Sequence, residues 1–302
     1  MLDLRFFFSV EPSALAEDPS EWQHESHCSL LLGPPRCGKT SLLFQYAYNY
    51  AKSHAQRPNA VFFLCMKQKI CNQLPLFPAA IEPDMTVLER IQMKFSLSLS
   101  LPLLSSSPLS FSLVSSFLSF FRFFLFCSLF LVVSFFQFRR YIDNEAELRA
   151  FCASLHLMQP PPELLAIDDL SSFFVEGATS AATLAKTAAF VREAANYLSS
   201  VNSTNPFSTV LVSDTLNLEA MPSHSRATAF YQRWFPLVLL LQGQHNPFSL
   251  SLLDGASSSS SSSTTTTKAT FELSGDRFRL LSFSSSSSHQ QPSSSSSPSL
   301  IP

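Results

Sequence analysis

Apolar positions along the chain alternate between short continuous runs and longer stretches of helical period. Cys28 to Leu32 is an apolar run bounded by a glycine, the pattern of a strand buried on both faces. Thr40 to Lys52 reads as the helix that follows it. Ala60–Met66, Leu164–Ile167, Thr209–Val212 and Phe235–Leu241 repeat the short apolar run. Between the last of these strands, Ser180 to Ser199 places Leu184, Ala188, Val191, Ala195 and Leu198 on one helical stripe, with Thr179 as the expected cap. After the Pro-punctuated loop Leu74–Pro83, residues Leu88, Ile91, Leu148, Phe151 and Leu155 fit helical faces, so the chain from there to Leu157 is expected to be helical. Strands alternating with helices predict an α/β fold: a mostly parallel sheet with helices on both faces.

Two regions break this pattern. Phe95 to Phe138 is almost entirely Phe, Ser, Leu, Val and Pro, with Arg122 as its one charge. Phe111–Val133 is long enough to cross a bilayer, yet serines run through it, Arg122 sits near its middle, and no Trp or Tyr belt marks an interface. A span there would also separate the two halves of one sheet. Codons for Phe, Leu, Pro and most Ser begin with two pyrimidines, and a pyrimidine tract ending near "SFFQFRR" is how an unspliced intron reads in translation. Residues 95–140 are therefore taken as translated intron in preference to a membrane segment or a buried core. The second region is Ser257–Pro302, with its serine and threonine runs. Here 254–268 is expected to be a linker. Thr270–Leu273 and Arg277–Phe283 around Ser274-Gly275-Asp276 predict a hairpin over 269–283, plausible as an addition to the sheet edge, and 284–302 is a disordered tail. With 1–27 as an N-terminal extension, the core is 28–94 plus 141–253.

Composition narrows the partners. A formal net charge of −2 lacks the basic footprint of a stand-alone nucleic-acid binder, so any such contact is local or shared. The six cysteines form no C-x-x-C pair and no zinc spacing with the histidines, the usage of reduced, buried thiols. Asp3 and Glu11 make the first residues too acidic for a signal or transit peptide.

The chain holds only six glycines, and two of them stand in Gly33-Pro34-Pro35-Arg36-Cys37-Gly38-Lys39-Thr40. This is the P-loop, in which glycines let backbone N–H groups curl around phosphate oxygens. Strand before and helix after are the setting the motif requires. Lys39 would reach the β- and γ-phosphates of ATP, Thr40 would hold Mg²⁺, and Ser41 would open the helix whose positive end faces the anion. Cys37 reads as structural filler within the loop, with oxidation-sensitive nucleotide binding as the lesser alternative.

"ELLAIDDLSSFF" supplies the second half of such a site. Asp168 follows the buried strand Leu164–Ile167 at its carboxyl end, where open α/β sheets bind ligands, and is the Walker B aspartate for Mg²⁺. Asp169 is either a second carboxylate of the magnesium shell or a helix cap.

Together the P-loop, the Asp168 strand, "LERIQMK" leading to an acidic helix, and "YQRWFP" before a strand resemble a divergent branch of the RecA-like recombinase paralogues. The likeness is to the small ATPase that partners a SWIM-type zinc-finger protein in Shu-type recombination complexes, and it covers about 29–94 and 141–283. It implies a RecA-like P-loop NTPase core, ATP and Mg²⁺ as cofactors, single-stranded DNA binding, a nuclear location, and support of recombinase filaments beside the zinc-finger partner. A membrane is not expected as a partner.

The chain departs from that family where a glutamate usually ends the strand after the P-loop helix. Met66, Lys67 and Gln68 stand there, so hydrolysis is expected to be slow, with Lys39 and Gln68 as the catalytic candidates and Asp214 at the position of a γ-phosphate sensor. Lys67, Lys69, Arg226, Arg233 and Trp234 are the candidate DNA contacts, each weighed against a solvated charge or a core aromatic. Two function classes stay open, a DNA-stimulated ATPase and a nucleotide-bound scaffold. A P-loop small-molecule kinase would need an arginine-rich lid, and the chain shows none. Sequencing the spliced message is expected to find codons 95–140 missing; a message that keeps them across tissues overturns the intron reading.

Overall fold

A computed structural model of the chain describes residues 2–8, 23–24, 26–54, 61–66, 77–78, 83–96, 142, 144–174, 180–202, 210–215, 224–243, 246–253, 265–274 and 277–287. Strands β1 (Leu2–Asp3) and β2 (Gln23–His24) pair antiparallel as a small ribbon. The remaining strands are β3 (Cys28–Gly33), β4 (Val61–Met66), β5 (Phe77–Pro78), β6 (Ile91–Ser96), β7 (Leu164–Ile167), β8 (Val210–Thr215), β9 (Leu237–Gln242), β10 (Phe248–Leu252), β11 (Thr265–Ser274) and β12 (Arg277–Ser287). They form a single sheet in the order β5-β12-β11-β10-β9-β3-β8-β7-β4-β6. From β9 to β6 all neighbours are parallel. Beyond β9 the pairs β9–β10, β10–β11 and β11–β12 are antiparallel.

Helices α1 (Lys39–Ser53), α2 (Met85–Leu88), α3 (Glu145–Ala153), α4 (Ala181–Val201) and α5 (His224–Trp234) pack on this sheet. The period of two along each central strand divides the core into two layers. Leu31, Phe63, Ala166 and Leu211 face the layer that holds α1, α2 and the N-terminal turn. Their neighbours Leu30, Leu32, Phe62, Leu64, Leu165, Ile167, Val210 and Val212 face α3, α4 and α5. The chain is thus α/β, with a mostly parallel sheet covered by helices on both faces, as the alternation of apolar runs predicts.

Local chemistry explains the helix starts. Asn144 accepts from the N–H groups of Ala146 and Glu147 to begin α3, and Ser180 accepts from the Thr183 N–H to begin α4. Ser180, not Thr179, is therefore the cap; Thr179 lies outside the described residues. The expected stripe on α4 holds, with Ala188, Val191, Ala195 and Leu198 buried, Leu184 partly so, and Ala194 joining them.

Four expectations are corrected. The helical reading fails between Leu88 and Lys94, because Ile91–Ser96 is strand β6, paired parallel to β4 and running two residues into the 95–140 block. A stretch of alternating Ile91, Met93 and Phe95 satisfies the strand period, and the open edge beside β4 decides in its favour. Strand β10 stands where no strand was expected. The hairpin is longer than 269–283: β11 starts at Thr265, inside the expected linker, and β12 ends at Ser287, inside the expected tail. Finally, the extension 1–27 contributes to the core, since Leu2, Leu4, Phe7 and Phe8 are buried. Rings of Phe6 and Phe7 meet Tyr46 of α1 at 5.4 and 5.0 Å, and the Phe6 carbonyl accepts from Asn49 at 2.7 Å.

No helix among the described residues is long and apolar enough to cross a membrane. Phe7→Ala is expected to lower unfolding stability by about 3–5 kcal/mol, the range for emptying a buried aromatic site, measured by denaturant titration; a loss below about 1 kcal/mol shows that the N-terminal turn is not part of the cooperative core.

Candidate nucleotide-binding site

The stretch that carries the P-loop pattern joins the carboxyl end of β3 to α1. Its two glycines meet different demands. A Cβ on Gly33 would stand 2.7 Å from Cβ of Leu241 and 2.9 Å from Sγ of Cys37, so the first glycine is required by close approach to β9. Gly38 caps α1 with φ of 85°, a left-handed conformation that a side chain disfavours. Arg36 shares that region at φ 61°, so the turn holds two left-handed residues in three positions. Helix α1 begins at Lys39, two residues ahead of Ser41, which lies buried in the first turn.

Lys39 is itself buried, and its Nζ donates to the carbonyls of Gly33 and Pro34 at 3.0 and 2.5 Å. The ammonium is thereby folded back over the loop it belongs to. Cys37 sits beneath it, 3.7 Å from Nζ to Sγ. Burial pushes the Cys37 thiol above its ordinary value despite the nearby Lys39, so it is an inert packing group, as are Cys28 and Cys152, which burial pushes up to about 12. Pro34 and Pro35 are part-exposed and exposed at the turn.

Asp168 arrives from 128 residues further on. Strand β7 is buried along its length and delivers the carboxylate at its carboxyl end, fully buried. Thr40 Oγ1 lies 3.0 Å from each of its oxygens. From β8, which lies between β3 and β7 in the sheet, Ser213 donates to Asp168 Oδ1 at 2.8 Å and accepts from the Asp169 N–H at 2.9 Å. The Asp168 N–H is fixed by the Leu64 carbonyl at the end of β4. An all-oxygen pair of hydroxyl and carboxylate suits a hard divalent cation.

Asp169 adopts φ of 59° and begins the short turn Leu170–Phe173 without capping it through its side chain. Its Oδ1 instead accepts from Thr215 at 2.9 Å and Ser171 at 3.2 Å. The cap is supplied from β8, where Asp214 Oδ1 accepts from the Ser171 N–H at 2.9 Å. That finding corrects the sensor role expected of Asp214. Its carboxylate is fully buried, also accepts from the Thr215 N–H, and receives the Tyr231 hydroxyl at 2.5 Å. It ties β8 to α5 and to the turn after Asp169.

Of the other candidates, Gln68, Lys67 and Lys69 lie outside the described residues, and Arg226 is described only as part of α5. Arg233 is exposed, with its guanidinium 5.8 Å above the Trp234 ring. Trp234, the last residue of α5, packs partly buried against the core, and its Nε1 is buried with no partner among the described residues. The ring is a core aromatic with one cation on it rather than an open stacking platform.

Ser213, Thr215 and Tyr231 were not expected at this site. Ser213 follows directly on the apolar run Val210–Val212 and precedes Asp214, so no pattern sets it apart from an ordinary strand end. No protein-family model matches the chain, and no curated protein matches it.

Asp214→Ala strands the Tyr231 hydroxyl and the Ser171 N–H, and is expected to cost about 2–3 kcal/mol of stability. Burial raises the Asp214 carboxyl above its ordinary 3.8. The folded state then holds that proton more tightly than the unfolded chain, so the stabilisation is complete below pH 3.8 and is lost as pH rises through the raised value. The stability advantage of the native protein over Asp214→Asn is expected to shrink over that rise, measured by thermal unfolding across pH; an advantage that grows with pH refutes a raised value.

Proposed function

We propose that this chain binds Mg·ATP on a RecA-like core and serves as the ATP-binding subunit of a homologous-recombination repair complex, holding single-stranded DNA together with a SWIM-type zinc-finger partner. The observation that carries the nucleotide reading is the contact of Thr40 with both oxygens of Asp168. These are the two residues from which the P-loop and Walker B patterns each require a magnesium ligand, and they meet beside a buried Lys39. Thr40 and Asp168 would hold the metal, which would supply neutralisation of phosphate charge. The chain contributes Lys39 as a phosphate ligand, the loop N–H groups as the cradle, and Thr40 with Asp168 as the metal seat. The strand order supports the reading as well, since the site lies at the carboxyl ends of parallel strands.

DNA binding, the partner, the recombinase filament and the nuclear location rest on the family resemblance. Hydrolysis is slow in this reading. Strand β4 ends in Met66 rather than an acid, and Asp214 is committed to Tyr231 and the Ser171 N–H. The same two observations favour the nucleotide-bound scaffold over a self-sufficient ATPase.

Lys39→Ala and Asp168→Asn are each expected to weaken binding of a fluorescent ATP analogue in Mg²⁺ by at least about tenfold, or ~1.4 kcal/mol. Native affinity in Lys39→Ala removes the P-loop assignment. Co-expression with a SWIM zinc-finger protein is expected to raise soluble yield by mass action. A soluble monomer that binds single-stranded DNA tightly at physiological salt, with no gain from that partner, restores the stand-alone enzyme.

A further inference from the structure

The phosphate loop has a neighbour that no nucleotide-binding pattern includes. Leu273, near the end of β11, places its branched tip over Gly38: a Cβ built on that glycine would meet Leu273 Cδ2 at 3.2 Å and Cδ1 at 3.4 Å. The leucine fills the space that the missing side chain leaves open. Its own backbone is held in turn. Leu273 N–H donates to Asn246 Oδ1 at 2.8 Å, and Asn246 Nδ2 donates to the Leu273 carbonyl.

This amide stands in for a strand. Residue pairing between β10 and β11 begins at Phe248–Phe271, so beyond that point β11 has lost its β10 neighbour and Asn246 satisfies both backbone groups instead. On its other side Leu273 pairs with Phe278 of β12. Phe271 and Phe278 both meet the ring of Phe8, at 5.7 and 6.5 Å. The hairpin is thus anchored to the N-terminal turn at its back and touches the phosphate loop at its front.

A left-handed glycine loses more conformational freedom on ordering than any other residue. A loop that visits other conformers binds its ligand more weakly by the fraction of time it is binding-competent. Leu273 occupies the place a side chain on Gly38 would take, beside the one residue of the Pro34–Gly38 turn that lacks a Cβ. We propose that Leu273, held by Asn246, is a positioning residue for the phosphate loop, fixing the Gly38 turn and the first turn of α1, so that order in the β11–β12 hairpin and nucleotide binding are coupled. The inference rests on the nucleotide-binding reading above. Coupling of this kind is reciprocal: nucleotide orders the hairpin as much as the hairpin favours nucleotide.

The test uses the full chain with three substitutions, Leu273→Ala, Asn246→Ala and Leu273→Met, the last conserving volume. Affinity is read with a fluorescent ATP analogue in Mg²⁺, and amide hydrogen exchange of β11 is read with and without that analogue. Leu273→Ala and Asn246→Ala are expected to weaken binding by about fivefold or more, while Leu273→Met stays near the native value. The analogue is expected to slow exchange in β11 of the native protein and of Leu273→Met, and to lose that effect in Leu273→Ala. A merely structural leucine would not make exchange in β11 depend on nucleotide. Asn246 is exposed, so its substitution leaves the core intact and decides the matter if Leu273→Ala fails to fold. Native protein that binds the analogue, with both alanine variants binding equally well or with β11 exchange indifferent to nucleotide, overturns the coupling alone. Native protein that does not bind the analogue, like Lys39→Ala, overturns the nucleotide reading itself and the coupling with it.

Discussion

A fully buried carboxylate sets the terms for this fold. Leaving a buried polar group without partners costs free energy, and Asp168 is satisfied from separate directions by Thr40 and Ser213, while its own N–H is anchored by Leu64. Each of these comes from a different element. Thr40 lies in the first turn of α1, Ser213 in β8 and Leu64 within β4. Moving β8 by one residue would set Val212 or Asp214, in place of the Ser213 hydroxyl, against the acid. The parallel half of the sheet is therefore pinned at its carboxyl edge by one acid, and the loop of Gly33 to Gly38 is shaped against an edge that cannot shift.

The antiparallel half is held by other means. There the aromatic rings of Phe8, Phe248, Phe271 and Phe278 supply the contacts, and the polar links are local, such as Asn246 with Leu273. Aromatic packing of this type is broad and tolerant of small changes in angle, in contrast to the directional bonds around Asp168. The two halves meet at β9, whose Leu241 closes on Gly33. A directional half and a greasy half thus share one strand, directly beneath the phosphate loop.

How far these features can be read from residues alone follows from their range in sequence. The P-loop is legible because its requirements are contiguous: two glycines, a lysine and a threonine between a strand and a helix. Asp168 is legible because a buried strand followed by an acid is a local pattern that an upstream P-loop makes meaningful. The alternation of faces on α4 and the central strands is legible because it has a fixed period. Ile91 is where period fails, since Leu88 and Ile91 are spaced for a helix while Ile91, Met93 and Phe95 are spaced for a strand, and only the vacant place beside β4 chooses between them. Ser213, Tyr231 and Leu273 are not legible, because each acts on a residue far along the chain and carries no pattern of its own. Asp214 misleads for the same reason. An acid at the end of a strand looks available for chemistry, and the tyrosine that occupies it lies on another element.

Thr40 and Asp168 stand far apart in the chain, 128 residues in the given sequence and fewer in a message that lacks codons 95–140, and that distance has a kinetic meaning. Bringing together the ends of so long a loop costs about 4 kcal/mol in chain entropy by logarithmic scaling, and parallel pairing defers the reward until all intervening strands are laid down. A ribosome releases the glycines and lysine of the phosphate loop well before it releases β7 and β8. Until then α1 has neither its acid nor the serine that orients it, and its first turn exists without the surface it packs on. Any ligand that depends on the Thr40–Asp168 contact consequently selects the finished domain and gives no help to the growing chain. The early steps of folding fall to contacts that close over short distances, such as those within the β11–β12 hairpin.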